Sequence, residues 1–178
     1  MKVFIPMQHS VQEQIGPGTA TAVSEESKVL YLDSLRLIER LHRRLLDVIK
    51  AKLDGIGIGE INSVQALLLY NIGTSEMTAG ELRSRGYYTG SNVSYNLKKL
   101  VEADYIEHER SRHDRRSVRI RLSDKGKEIC QIVDELYEGQ IAAVTGDATL
   151  GDDGLRAMNE TLRALERFWS DQIQFGGF

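Results

Sequence analysis

The hydrophobic pattern changes its period partway through this chain of 178 residues, and that change restricts the possible folds more than any other feature. Apolar residues at helical spacing predict helices over 62–71 and 89–103. A capping box of Thr78 and Glu81 predicts a short helix that begins after Thr78 and ends at residue 84. Residues 105–110 and 118–122 have strand character instead. The charged segment 111–116 joins them as a projecting hairpin, which completes the order of a winged helix-turn-helix.

Long helical segments flank this unit on both sides. Residues 24–53 carry a wide apolar stripe, and a helix predicted from the cap Ser123 to residue 144 is followed by a final helix. Five apolar residues of that final helix have the a/d spacing of a helix–helix seam: Leu155, Met158, Leu162, Leu165 and Trp169. We therefore expect an α+β, mostly α fold: a winged helix-turn-helix with N- and C-terminal dimerisation helices, assembled as a homodimer.

The predicted organisation has three parts. Residues 1–23 contain both prolines and little periodicity, which predicts a flexible N-terminal arm. Residues 24–54 and 123–175 form the helical dimerisation lobe. Residues 55–122 form the winged helix DNA-binding lobe.

Basic charge is concentrated in one segment of the chain. The whole sequence has a net charge of -3, whereas residues 82–121 contain ten Lys and Arg against five Asp and Glu, a net charge of +5. The local field, rather than the total charge, governs affinity for phosphate. The segment therefore favours double-stranded DNA as a partner, with a solvated basic face as the alternative.

The fourth predicted helix, 89–103, has two distinct arcs. Apolar residues such as Val93 and Leu97 occupy one arc, toward the core. The opposite arc is polar, rich in hydrogen-bond donors and nearly free of acids. Its candidate DNA-binding residues are Ser91, Asn92, Tyr95, Lys98 and Lys99. A helix with such an arc suits the major groove, where base edges differ, although an ordinary solvated face has the same composition.

Arginines crowd the predicted hairpin tip. The candidate DNA-binding residues there are Arg112, Arg115 and Arg116, with Asp114 among them. An arginine at a projecting tip can enter a narrow minor groove, whose negative potential attracts it. A salt-bridged surface hairpin is the alternative interpretation.

Several segments resemble the MarR family of transcriptional regulators. Residues 62–68 (NSVQALL) and 77–82 (MTAGEL) are similar to its second and third helices, and 93–102 to its recognition helix. The most specific likeness is the wing, Asp114-Arg115-Arg116 followed by Val118, and the return to helix at 122–126 (LSDKG). Within the family, residues 86–96 (GYYTGSNVSYN) resemble the alphaproteobacterial LdtR-like subgroup, the regulators of L,D-transpeptidases.

The resemblance implies further properties. Family members dimerise through their terminal helices, bind pseudo-palindromic operators, and insert into the minor groove the arginine that corresponds to Arg116. Many bind a small aromatic effector between the two lobes, which would implicate Arg43 and Tyr70 as ligand-binding residues. Purely structural roles for Arg43 and Tyr70 are the alternative.

Patterns typical of other protein classes are missing from the sequence. We expect no enzyme activity, cofactor or metal site, because no catalytic grouping, metal-ligand spacing or phosphate-binding glycine loop is present. No apolar run approaches the ~20 residues that span a membrane, and no secretory signal begins the chain, which predicts no membrane association and a cytoplasmic location. Cys130, at the edge of an apolar stripe, is expected to behave as a small apolar residue rather than as a redox centre.

Together these features predict a sequence-specific regulator of transcription that binds double-stranded DNA. A small-molecule ligand would control it, and cell-envelope or stress genes would be its targets. The alternative is a dimeric winged-helix adaptor that binds protein.

Overall fold

The computed structural model describes residues 23–84, 90–110, 118–147 and 149–176. These residues form a mostly helical fold with one small sheet, which confirms the predicted α+β class. In chain order the elements are α1 (Glu25–Gly55), α2 (Ser63–Ile72), β1 (Met77–Thr78), α3 (Ala79–Ser84), α4 (Gly90–Glu102), β2 (Ile106–Arg110), β3 (Val118–Leu122), α5 (Asp124–Thr145) and α6 (Asp152–Phe175).

The sheet contains one strand more than the sequence predicts. Its strand order is β1-β3-β2, and both pairings are antiparallel. Ile120 of β3 pairs with Met77 on one side and with His108 on the other. Two residues are too few to show a hydrophobic period, so the sequence does not predict β1. The strand forms because it can hydrogen-bond along the free edge of β3.

Side chains cap the helices where the sequence predicts caps. Asn62 accepts a hydrogen bond from the backbone N–H of Gln65 (2.9 Å), and the Gln65 side chain accepts one from the backbone of Asn62 (3.0 Å). Thr78 and Glu81 form the same reciprocal pair at 3.1 and 2.6 Å. Ser123 caps α5. Each cap satisfies a first-turn N–H that lacks a partner within its helix.

The chain divides by its packing into residues up to 41 and residues from 42 onward. In the second unit the core joins residues of α1, α2, α3, α4, the sheet and α5, with Ile49, Leu68, Leu82, Leu100 and Val133 among its most buried side chains. Ile141 of α5 is 58% exposed in the single chain, although Ile129 and Val133 of the same helix are buried. The proposed boundaries between arm, dimerisation lobe and DNA-binding lobe stay a prediction.

Candidate nucleic-acid interface

Helix α4 owes its orientation to a buried apolar face. Val93, Leu97 and Leu100 are spaced by four and three residues, and all three are buried. This face packs against α3 and β2. Since residues on one helix surface are fixed relative to each other, burying this face turns the opposite arc to solvent.

The solvent-facing arc of α4 contains four of the eight predicted DNA-binding residues. Asn92, Lys98 and Lys99 are exposed, and Tyr95 is 64% exposed despite its large ring. The backbone carbonyl of Asn92 accepts a hydrogen bond from the Asn96 side chain at 2.9 Å. The arc therefore offers amide, phenol and ammonium donors side by side. The side chain of Ser91, and all of Arg112, Arg115 and Arg116, lie outside the described residues.

One acid, Glu102 near the end of α4, faces the lysines of this arc. Glu102 accepts a hydrogen bond from Lys99 Nζ at 3.2 Å, and its other oxygen lies 3.8 Å from Lys98 Nζ. The helix spacing of three and four residues brings all three together. Exposed pairs of this kind contribute little free energy, so phosphate can displace the carboxylate.

The base of the wing is electrically neutral. Arg121 pairs with Glu107 at 2.6 Å directly across the strands, and Arg119 lies 3.5 Å from Glu76. Arg119 and Arg121, like Lys98 and Lys99 of α4, thus already have acidic partners. Among the described side chains of the segment, the two lysines of α4 remain the candidates for phosphate, because an exposed carboxylate partner is readily displaced.

The end of α4 is fixed by the start of α5. Asp104 has a φ of 61°, a left-handed conformation that Asp tolerates, and it turns the chain from α4 into β2. Ser123 Oγ donates to the Asp104 carbonyl at 2.6 Å, and the Ser123 backbone N–H donates to the Tyr105 carbonyl at 3.1 Å. The cap of α5 therefore also holds the turn that follows the recognition helix.

A charged cluster reinforces the same junction, and sequence reasoning did not find it. Lys125 Nζ donates to Glu60 Oε2 at 2.7 Å and to the Ala103 carbonyl at 3.3 Å, and it lies 4.2 Å from the centre of the Tyr105 ring. Tyr105 Oη donates to the same Glu60 oxygen at 3.1 Å. The hydrogen bond from Lys125, followed by that from Tyr105, lowers the pKa of Glu60. Glu60 is 65 residues from Lys125, so no local spacing signals the pair.

The two predicted ligand-binding residues lie in different settings. Tyr70 of α2 is half-buried, donates to Asp134 Oδ1 at 3.3 Å, and meets the Tyr137 ring edge-on at 5.0 Å. Burial, followed by the charge of Asp134, raises the pKa of Tyr70. Arg43 is exposed on α1. Tyr70 thus has a structural role in joining α2 to α5, whether or not it also meets a ligand.

Cys130 lies against the core, half-buried. Burial, followed by the charge of Asp134, raises the pKa of its thiol. The thiolate is the reactive form, so this setting disfavours redox chemistry and agrees with the expected role of a small apolar residue.

Two features are absent from the described residues. None of their helices is both long and apolar enough to cross a membrane. Within the same ranges, no three His, Cys, Asp or Glu side chains are grouped so that they could hold a metal ion.

Comparison with known proteins gives a consistent result. Residues 61–126 match the model of a winged helix DNA-binding domain. The chain is 37% identical over 155 residues to the exopolysaccharide II synthesis transcriptional activator ExpG of Rhizobium meliloti, covering 85% of this chain and 78% of that protein.

Solved structures share the fold at lower identity. Streptococcus pneumoniae FabT in complex with DNA is similar with a TM-score of 0.64 and 21% identity, over 79% of this chain and 98% of that one. Staphylococcus aureus MarR in complex with salicylate and kanamycin is similar with a TM-score of 0.65 and 21% identity, over 83% and 97% of the two chains. The relative with 37% identity is a transcriptional activator rather than an enzyme.

Proposed function

The chain belongs to the MarR family of winged helix-turn-helix transcriptional regulators, and we propose that it acts by binding a pseudo-palindromic DNA operator as a homodimer. The observation that carries the proposal is the solvent-facing arc of α4, on which Asn92, Tyr95, Lys98 and Lys99 are all exposed over a buried apolar face. FabT, which shares the fold, was solved bound to DNA. The activator role of the 37% identical relative favours DNA regulation over a protein-binding adaptor.

The residues of α4 divide between two tasks in this proposal. Ser91, Asn92 and Tyr95 occupy the N-terminal part of the helix, where base edges in the major groove are within reach. Lys98 and Lys99 lie further along and contact phosphate, exchanging Glu102 for the DNA backbone. Arg116 enters the flanking minor groove, and Arg112 and Arg115 lie near the backbone.

Asn92→Ala and Lys99→Ala are expected to weaken DNA binding in different ways. Asn92→Ala should cost on the order of 1–3 kcal/mol on the operator, with little change on random DNA, because a lost base contact carries sequence information. Lys99→Ala should weaken all sequences alike and reduce the slope of log affinity against log salt by about one unit, because it removes one phosphate contact. Fluorescence anisotropy on operator and random duplex, at two salt concentrations, measures both effects.

The same titration tests the wing, and its result can contradict the proposed placement of helix and wing. Arg116→Ala should weaken binding most on operators with A·T-rich flanks, whose minor grooves are narrow, and less after the flanks are exchanged. The operator itself is obtained by selecting duplexes from a random library with the unmodified protein, beginning with the DNA upstream of its own gene. If Asn92→Ala and Arg116→Ala both bind that operator like the parent, the placement of helix and wing is wrong.

Apolar surface supports the homodimer. In the single chain Met158, Leu162, Phe168 and Ile173 are exposed along α6, and Leu30 and Leu41 are exposed along the first part of α1. Two-fold pairing would remove such surface from water, which is the commonest way in which soluble proteins form dimers.

Control by a small aromatic effector is a further part of the proposal. It is supported by the salicylate complex of the similar Staphylococcus aureus MarR, and the proposed effector site includes Arg43 and Tyr70. A ligand there would have to fit beside the hydrogen bond of Tyr70 with Asp134. A compound that raises the melting temperature of the free protein should also weaken operator binding, because coupling between two sites is reciprocal.

The proposed targets are genes of the cell envelope or of stress responses, regulated in the cytoplasm. The likeness of residues 86–96 to the LdtR-like subgroup supports envelope genes. The 37% identical relative activates exopolysaccharide II synthesis, which is also a cell-surface process. Sequencing of the DNA cross-linked to the protein in cells tests this assignment.

A further inference from the structure

The junction between α4 and α5 draws together three segments that are distant in sequence. Glu60 comes from the loop between α1 and α2, residues 103–105 follow the recognition helix, and Ser123 and Lys125 begin α5. Lys125 is the one residue of α5 here whose side chain bonds both of the other segments, at 2.7 Å to Glu60 and 3.3 Å to the Ala103 carbonyl.

The geometry of this junction has a consequence for a dimer. The α5 helix starts at the junction and continues for 22 residues into the helical lobe. A dimeric helix-turn-helix protein contacts two half-sites about one helical turn of DNA apart, so the separation of its two recognition helices determines the preferred spacing. That separation depends on how firmly each α4 is held against its own α5.

We propose that Lys125 is a positioning residue that, with Glu60 and Tyr105, sets the half-site spacing that this protein accepts. Its ammonium group ties the end of α4 to the first turn of α5. The inference rests on the proposed operator-binding function and adds to it a determinant of specificity outside the DNA-contacting surface.

The location of the cluster makes the proposal testable without damage to the core. The Lys125 and Glu60 side chains are 44% and 67% exposed, so changing either leaves the buried apolar residues in place. Lys125→Met keeps most of the length and an apolar stem, which can still cover the Tyr105 ring, and removes the charge and its hydrogen bonds. Lys127 provides a matched control, because it is an exposed lysine two residues further along whose ion pair within the described residues is local, with Asp124 at 2.8 Å.

The experiment compares the selected operator with versions that have one base pair inserted or deleted between the half-sites. One base pair shifts a half-site by about 3.4 Å and rotates it by about 35°, which should cost the parent protein roughly 5- to 150-fold in affinity by loss of base contacts in that half-site. Lys125→Met should bind the original operator more weakly than the parent does. Its loss of affinity on altered spacing should be smaller than the parental loss by a factor of about five or more. Lys127→Met should keep the parental penalty.

The outcomes separate this inference from the function on which it rests. If the parent selects no sequence from the library, operator binding itself is refuted. If it selects an operator, and Lys125→Met and Lys127→Met show the same spacing penalty, the positioning role is wrong, whatever the change in melting temperature. If Lys125→Met fails to fold, Glu60→Gln decides, since it keeps a hydrogen-bonding group but removes the charge that Lys125 faces, and it should relax the spacing preference in the same direction.

Discussion

Replacing both Leu162 and Leu165 with Asp is expected to abolish the homodimer and leave monomers or aggregates. Leu162 is 42% exposed in the single chain and Leu165 is half-buried, so both belong to the apolar stripe of α6 that we propose is covered by a second copy. An aspartate in that seam would have to lose its hydration without gaining a partner. The free energy that this costs is far larger than the free energy of one lost apolar contact. Operator affinity should fall with it, since a monomer engages one half-site.

Analytical ultracentrifugation across micromolar concentrations measures the change. The matched control is the double variant Arg156→Asp and Arg163→Asp, whose side chains are exposed near the opposite face of the same helix. It adds more negative charge to α6 than the leucine variant does, and it should stay dimeric. A parent protein that sediments as a monomer at these concentrations would remove the dimer from the proposal altogether.

The elements of the fold were predictable because their signals are local. A buried face at three- and four-residue spacing marks α4, and polar residues with free side-chain oxygens mark the starts of α2, α3 and α5. The four described DNA-binding candidates were found in the same way, since burying Val93 and Leu97 leaves Asn92 and Tyr95 on the surface.

The charge pairing around the site was not predictable because it depends on contacts between segments. Composition counts Arg121 as positive, yet β3 places it 2.6 Å from Glu107 of β2. Glu60 and Lys125 are 65 residues apart, and only the assembled junction brings them together. A net charge of +5 in the segment 82–121 therefore indicates the kind of partner correctly but overstates how many cations are free to meet it.

Gly126→Ala is expected to destabilise the protein by about 3 kcal/mol, the upper part of the range for overpacking a filled site. A Cβ added to Gly126 would overlap the carbonyl oxygen of Tyr105 and would lie 3.2 Å from its carbonyl carbon and 3.4 Å from Leu122 Cβ. That oxygen cannot move aside freely, because it accepts the backbone hydrogen bond of Ser123 that holds α5 to the turn after α4. The first turn of α5 would have to shift, taking the recognition helix with it.

Gly139 of the same helix provides a control, because the same substitution there should have the opposite effect on stability. A Cβ there meets no atom of the described residues within 4 Å beyond its neighbours in its own helix, and the position lies inside α5. Gly139→Ala should therefore stabilise the protein by about 0.5–1 kcal/mol, because alanine loses less backbone entropy than glycine when a helix forms. By thermal unfolding, Gly126→Ala should lower Tm by roughly 6–12 °C while Gly139→Ala raises it by a few degrees. Equal and small shifts for both variants would mean that the close approach of α5 to Tyr105 is not what requires glycine at 126.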